Sequence, residues 1–158
     1  MKTPNLFLVG EQRSATTALH RYLGRHPEIF MARKELHHFG SDLGTFGDMV
    51  SDGERPDLEQ YLRYFAKATD ERYLGDASVG YLPSQKAAAE IHAFCPDARI
   101  IASFRNPVDM LYSLYSLLFF QGVEEDRSFV DALNDDSPRW AYTAWKFRWA
   151  FTYRSLVT

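Results

Sequence analysis

The sequence predicts an α/β domain with a mostly parallel central sheet flanked by helices. Short apolar runs alternate with stretches of helical periodicity along most of the 158 residues. The connections between apolar runs are too long for hairpins, which implies parallel strands joined by crossover helices. The first apolar run also closes on a glycine and leads into a helix that opens with hydroxyl side chains. At this length the chain is about one domain's worth, read as a single unit over residues 1–158.

The elements follow in order. "NLFLVG" (5–10) is a continuous apolar run closed by glycine, the pattern of a buried parallel strand. From Thr16 the period changes: Leu19, Tyr22 and Leu23 share a helical face with Ala15, and the helix stops near Gly24, before His26-Pro27. "EIFMA" (28–32) is a second short strand, and the Gly- and Asp-rich stretch 39–57 is a loop. "LEQYLRYFAKAT" (58–69) returns to helix with Leu58, Tyr61, Leu62 and Phe65 on one stripe. "RYLGDAS" (72–78) is a strand, and "SQKAAAEIHAFC" (84–95) a helix with Pro83 in its first turn. "ARIIASFR" (98–105) is an apolar strand, followed by a helix over 108–121 and a shorter one over 127–135. Residues 139–158 fit either period, with a lean to helix. The strands found are few for such a fold, so the reading is of a domain incomplete at its C-terminal end.

Composition excludes several functions. Hydrophobic residues at 46% and charged residues at 25% are ordinary for a globular protein. A net charge of −3 argues against a general nucleic-acid binder. Cys95 stands alone and fits a reducing compartment, as a small apolar residue ending a helix. The N-terminal apolar run is too short for a signal-peptide core, and 108–120 falls short of the roughly 20 residues of a bilayer span. Together these predict a cytoplasmic protein with no membrane segment. The histidines lack metal-ligand spacing, so no metal is expected. Trp140, Trp145 and Trp149 read as core or interface residues before they read as a stacking surface for sugars.

The chemistry concentrates in "EQRSATT" (11–17). In an open α/β sheet, ligands bind beyond the carboxyl ends of strands, at helix N-termini, where free backbone N–H groups and the helix dipole favour an anion. Ser14, Thr16 and Thr17 offer hydroxyls and Arg13 a planar cation. Counted from Gly10, a nucleotide triphosphatase loop G-x-x-x-x-G-K-[ST] would need glycine at Ala15 and lysine at Thr16, so that pattern fails. Two readings of the loop stand: an anion cradle, or ordinary hydroxyl capping of a helix. Arg105, at the end of an apolar strand, and Ser113, two turns into the next helix, favour the cradle. They are placed to converge on a second phosphate, which suits a nucleotide phosphorylated at two places.

These segments resemble the sulfotransferases that use 3′-phosphoadenosine 5′-phosphosulfate (PAPS). "PNLFLVGEQRSATTALHRYLGRHPEIF" is similar to that family's opening strand, K-S-G-T-T-like loop and helix ending at His-Pro. "RNPVDMLYSLYS" resembles its R-[DN]-P-x-x-x-x-x-S signature. "RKELHHF" resembles the K-E-P-H-F-F stretch of the carbohydrate branch, and "GDASVGYL" its G-E-x-S-P-x-Y-L segment. The resemblance implies a P-loop-like three-layer fold, PAPS as co-substrate and a carbohydrate or small-molecule acceptor. Arg13, Ser14, Ala15, Thr16 and Thr17 would surround the 5′-phosphosulfate, and Arg105 and Ser113 would hold the 3′-phosphate. Glu35 would match the catalytic base and Arg13 the cation at the bridging oxygen. Lys34, His37, His38 and Asp76 would lie on the acceptor side. One of His37 and His38 hydrogen-bonds the acceptor or substitutes for Glu35 as base, or both are surface or packing histidines, and Asp76 and Ser78 either line the acceptor cleft or cap a turn.

The chain departs from the family at several places. Arg13 replaces the loop lysine, keeping the charge without a proton to give. Ala15 replaces glycine, which requires a helical φ there. Glu11 puts an acid beside an anion site, either turned away or paired with Arg13. Leu36, His38 and Val79 replace a proline, a phenylalanine and a proline. Two further readings use the same loop: a nucleotide-binding fold without turnover, and a small-molecule kinase that would need magnesium and ATP.

Overall fold

In a computed structural model, residues 2–43, 55–122 and 128–134 are described. The ambiguous segment 139–158, with Trp140, Trp145 and Trp149, lies outside them, as does most of the loop 39–57. Residues 1–114 form one compact unit and 115–158 a second.

The first unit is built on parallel strands β1 (Leu6–Gly10), β2 (Ile29–Met31), β3 (Tyr73–Ala77) and β4 (Arg99–Ser103), in the order β2-β3-β1-β4. Every pairing is parallel, with Leu6 opposite both Gly75 and Arg99. Helices α1 (Thr16–Leu23), α2 (Leu58–Arg63) and α3 (Ala87–Phe94) make the crossovers, and α4 (Pro107–Phe120) follows β4. The sheet flanked by helices is the α/β fold the alternating pattern predicted. Chain direction across the sheet reverses at β1, so its carboxyl end, beside β4, opens the crevice where ligands bind in such sheets.

All of β1 is buried. Phe7 and Val9 join Tyr61, Phe65, Ala87 and Ile91 in the main core, which places α2 and α3 on that face. Leu6 and Leu8 are equally buried and, by strand alternation, point to the other. Phe39 sits at the hub of the aromatic packing, with ring centroids 5.7 Å from Phe7, 5.5 Å from Tyr61, 5.7 Å from Tyr81 and 5.3 Å from Phe94. Aromatic pairs in such edge-on arrangements add stabilisation beyond the area they bury. Hence the segment just after Glu35 is pinned by the core itself.

Several elements are shorter than the periodicity implied, each for a local reason. Asp57 and Gln60 form a reciprocal capping box that starts α2. After Tyr64 the chain tightens into i→i+3 bonds, Ala66 N to Arg63 O and Ala68 N to Phe65 O, which deliver Phe65 and Ala68 to the core. Leu58, expected on the apolar stripe, is exposed. Pro83 does not enter α3: Ser84 Oγ accepts the amides of Lys86 and Ala87, so the helix begins three residues later. Tyr22 is exposed rather than packed, with the Arg25 guanidinium 5.8 Å from its ring centre.

β4 departs most from its apolar sequence. Among the described residues it pairs with β1 alone, and as an edge strand there it leaves Ile100 52% exposed, with Phe104 just beyond it at 67%. In α4, Met110 and Leu114 are buried one turn apart, while Val108 and Tyr112 face solvent. Asn106 caps this helix, accepting the Val108 amide at 3.0 Å, with Pro107 in the first position. In the second unit, Tyr115 packs its ring on Phe129 of α5 (Phe129–Asn134) at 5.4 Å. Among the described residues no helix is long and apolar enough to cross a membrane.

Candidate active site

The loop after β1 is shaped by close approach to β4. Gly10 has φ 156°, and a Cβ there would collide with the Ser103 carbonyl oxygen. The same carbonyl accepts the Glu11 amide at 3.1 Å, and Ser103 Oγ donates to the Ser14 carbonyl. Arg13 and Ala15 take left-handed φ of 62° and 63°, with Ser14 between them at negative φ. Alternation of that kind is the backbone pattern of an anion-binding nest, with the Ser14 N–H turned to the Glu11 carbonyl at 3.3 Å. Ala15 is the N-cap of α1 and offers no side-chain cap, and the first turn holds no acidic residue. The helical φ expected at Ala15 is therefore corrected: alanine adopts the conformation its glycine counterpart would favour.

Ser14 carries the clearest sign of a missing anion partner. Its side chain is 3% exposed, and its Oγ has no hydrogen-bond partner among the described residues. A buried hydroxyl left unpaired costs about 1–3 kcal/mol, which a ligand oxygen would recover. Thr16 is buried beside it, and Thr17 is exposed at the mouth.

Arg105 and Ser113 come to the same place. Arg13 Nε donates to Ser113 Oγ at 3.0 Å, and an Arg105 guanidinium nitrogen donates to the Arg13 carbonyl at 3.3 Å. Residues about a hundred positions apart in the chain thus meet at the carboxyl ends of the adjacent strands β1 and β4. The two expected anion clamps lie on one side of the molecule, contiguous through Arg13.

On the other flank, Lys34 Nζ reaches the first residues of α1, 3.0 Å from Thr16 Oγ1 and 3.4 Å from Thr17 Oγ1. It is also 3.5 Å from Glu35 Oε1. The other oxygen of Glu35 accepts the Val79 amide at 3.1 Å and lies 3.1 Å from His37 Nε2. Burial by itself would raise the Glu35 pKa, but the His37 hydrogen bond, the Lys34 charge and the Val79 amide outweigh it, and the carboxyl ends below its ordinary value. Glu35 is a carboxylate at neutral pH, a proton acceptor held by three partners. His37 is 4% exposed and serves that carboxylate from behind.

Asp76 and His37 are buried and do not reach the open surface that the acceptor-side expectation gave them, and His38 is half-buried. Asp76 is fully buried at the end of β3, where Tyr61 Oη, Tyr81 Oη and Ser78 Oγ donate to it at 2.9, 2.7 and 2.8 Å. Burial pushes its pKa up, against the pull of those hydroxyls. Ser78 Oγ in turn accepts the amides of Leu36 and His37 at 3.1 and 3.2 Å. Asp76 and Ser78 therefore hold the loop that carries Glu35, through the bonds of Ser78 to the Leu36 and His37 amides. His38 stacks on Tyr61 at 4.3 Å and bonds the Pro56 carbonyl at 2.8 Å, so it packs the loop.

Glu11 neither faces solvent nor pairs with Arg13. Its side chain is 7% exposed, one oxygen accepts the Gln12 amide at 3.0 Å and the other has no partner among the described residues. Burial raises its pKa over the opposing pull of that amide, which favours the neutral form and softens the clash with an anion. Sequence reasoning missed Ser103, whose hydroxyl and carbonyl both fix the loop, and no motif marks it. It also grouped Lys34 with the acceptor side, although two hydroxyls of α1 hold its ammonium.

The sequence matches the model of the sulfotransferase family over residues 4–153. Among curated proteins, it is 29% identical over 115 residues to the mouse bifunctional heparan sulfate N-deacetylase/N-sulfotransferase 1, covering 71% of this chain and 12% of that protein. It is 27% identical to mouse heparan sulfate glucosamine 3-O-sulfotransferase 6, covering 72% and 30%, and 27% identical to the membrane-associated sulfotransferase kil1 of Dictyostelium discoideum, covering 71% and 22%. The crystal structure of a sulfotransferase from Alicyclobacillus acidocaldarius superposes with a TM-score of 0.74 at 35% identity, covering 85% of this chain and 57% of that one. The chain thus spans under a third of each of these curated relatives and a little over half of the solved structure.

Proposed function

Because the chain belongs to the sulfotransferase family, we propose that it moves a sulfuryl group from PAPS to a hydroxyl or amine, with a carbohydrate acceptor favoured. The observation that carries this reading is the contact of Arg13 with Ser113, 3.0 Å, which joins the nest before α1 to the Arg105 side. A nucleotide with phosphates at both its 3′ and 5′ positions needs two anion clamps on one face. The orphaned Ser14 hydroxyl, the unblocked N-terminus of α1 and the cations Arg13, Lys34 and Arg105 fit such a ligand. Burial raises the Glu11 pKa, which lessens its clash with such a ligand.

The donor, when bound, supplies an activated sulfuryl group, so the protein's task is to hold it in line with the acceptor and stabilise charge. Glu35 takes the acceptor's proton while the new S–O or S–N bond forms. The cations at the loop face the oxygen that receives the electron pair of the breaking S–O bond. Proton removal by a positioned carboxylate is typically worth about 10²–10⁴-fold. Carbohydrate as the acceptor class is supported by the names of two relatives, which act on heparan sulfate. A cytoplasmic location is part of the same proposal, although one relative is named as membrane-associated.

Transfer of labelled sulfate from PAPS to N-deacetylated or desulfated heparan sulfate tests the reading. Labelled product that requires the protein and disappears in Glu35→Gln is expected. Tight binding of adenosine 3′,5′-bisphosphate without transfer to any acceptor would instead leave a nucleotide-binding fold without turnover.

A further inference from the structure

Away from the nest, the carboxyl-terminal half of α1 and strand β2 enclose a cleft of about 620 Å³. Phe30 and Met31 give it an apolar lining, and Arg21, Arg25, His20 and His26 bring polar groups to it. Among the described residues its lining holds one carboxylate, Glu71, which is engaged with the Thr69 amide at 2.6 Å. Both arginines are exposed, and neither pairs with a carboxylate among the described residues. His26 accepts the Glu28 amide on Nδ1 at 3.2 Å, which leaves its other ring nitrogen as a donor. In a chain of net charge −3, a cleft lined this way gathers positive potential in one place. The negative end of the α1 dipole favours cations in the last turn, which accounts for His20 and Arg21. Arg25 and His26 lie beyond Leu23, outside the helix, and the dipole does not account for them.

The cleft shares its walls with the candidate active site. α1 carries Thr17 at the mouth of the nest, and Arg21 stands one turn later on the same helical face, about 5 Å along the axis. β2 lines the cleft through Met31 and, four residues further on, the chain delivers Glu35. We propose that the cleft holds a remote stretch of an anionic glycan, with its sulfate or carboxylate groups on Arg21 and Arg25, while another unit of the same glycan presents its hydroxyl or amine to Glu35; the part played by Glu35 rests on the sulfuryl-transfer reading above. Planar guanidinium groups grip sulfate and carboxylate oxygens with paired N–H donors. Apolar walls with a few polar groups that fix orientation are the usual make-up of a site for an organic ligand, and here they meet the C–H faces of sugar rings. Binding in the cleft makes the docking of a second unit at Glu35 intramolecular, which raises its effective concentration there. No covalent step takes place in the cleft.

Binding to the whole protein tests this, because exposed Arg21 and Arg25 can be exchanged without touching the core. In calorimetric titrations with a long heparan sulfate oligosaccharide, the double variant Arg21→Gln with Arg25→Gln is expected to bind about 10-fold more weakly, as two exposed charge contacts allow. Its affinity for adenosine 3′,5′-bisphosphate should not change. With N-deacetylated heparan sulfate as acceptor, KM should rise by a similar factor at constant kcat, while KM for a disaccharide acceptor stays where it was. Arg21→Lys with Arg25→Lys should recover most of the loss. Unaltered affinity of the glutamine variant for the oligosaccharide overturns the assignment, and so does an equal loss on the disaccharide. So does an unaltered chain that binds vesicles of anionic phospholipid and none of the oligosaccharide. If the unaltered chain binds the bisphosphate but no glycan, only this assignment falls. If no acceptor is sulfated while the two arginines still govern oligosaccharide binding, the sulfuryl-transfer reading falls and the glycan site remains.

Discussion

His37 Nε2 and the Val79 amide meet one oxygen of Glu35, each at 3.1 Å, while Lys34 stands 3.5 Å from the other. The carboxylate is thus fixed in orientation and kept ionised. Glu35→Gln preserves the shape and removes the proton acceptor. We expect turnover to fall by about 10²–10⁴-fold with affinity for adenosine 3′,5′-bisphosphate retained, as read by labelled-sulfate transfer alongside calorimetry. Undiminished turnover would move the base role elsewhere.

The same partners set a pH dependence. Glu35 titrates below its ordinary value in the fold, so its contribution to stability is present above the ordinary carboxylate range and is lost as pH falls through the depressed value. The rate at low acceptor concentration should follow that carboxylate, staying level through neutral pH and declining only on the acid side. His37→Ala removes the largest of the groups that lower the pKa, so its acid limb should move to higher pH. A limb that stays in place would mean His37 does not govern the ionisation of Glu35.

Ser78 is buried between Asp76 and the amides of Leu36 and His37. Ser78→Ala leaves those amides and one carboxylate oxygen without a partner, at about 1–3 kcal/mol in stability. Denaturant unfolding should register that loss. Turnover should fall further than the bisphosphate affinity does, because the released loop carries Glu35 rather than the nest before α1.

Ala15 pays for its left-handed backbone. A non-glycine residue in that region costs on the order of 1–3 kcal/mol, against about 0.4–1 kcal/mol lost when glycine loosens the unfolded chain. The strain is the larger of the two, so Ala15→Gly should raise the thermal midpoint by about 2–4 °C per kcal/mol gained. A lowered midpoint would show that the loop tolerates alanine without strain.

Arg105 is exposed and holds the Arg13 carbonyl at 3.3 Å, so its guanidinium is available to a phosphate. Arg105→Ala should weaken adenosine 3′,5′-bisphosphate by about 1.5–3 kcal/mol and flatten the salt dependence of binding. Unaltered affinity would remove Arg105 from the site.

The order of strands and helices was legible because short continuous apolar runs alternate with period-3.6 patterns along the chain. That Arg13, Ser14, Arg105 and Ser113 would gather was legible as well, since they fall at strand ends and early helix positions, and Arg13 meets both Ser113 and Arg105. The acceptor side was harder to read. Asp76, Ser78, Tyr61 and Tyr81 form one buried network drawn from separate elements, and nothing local distinguishes a carboxylate inside a network from one lining a cleft. The exposure of β4 followed from its place at the sheet edge, a property of topology to which the apolar run "RIIAS" gives no clue. The backbone of Ala15 was likewise hidden, because a left-handed φ leaves no mark on an alanine.

A crystal structure of the protein with adenosine 3′,5′-bisphosphate tests the central claim most directly. The account predicts the 5′-phosphate at the start of α1, bonded to the Ser14 and Thr16 hydroxyls, with the 3′-phosphate on Arg105 and Ser113. A nucleotide bound elsewhere, or one with either phosphate pointing away from these groups, would contradict it.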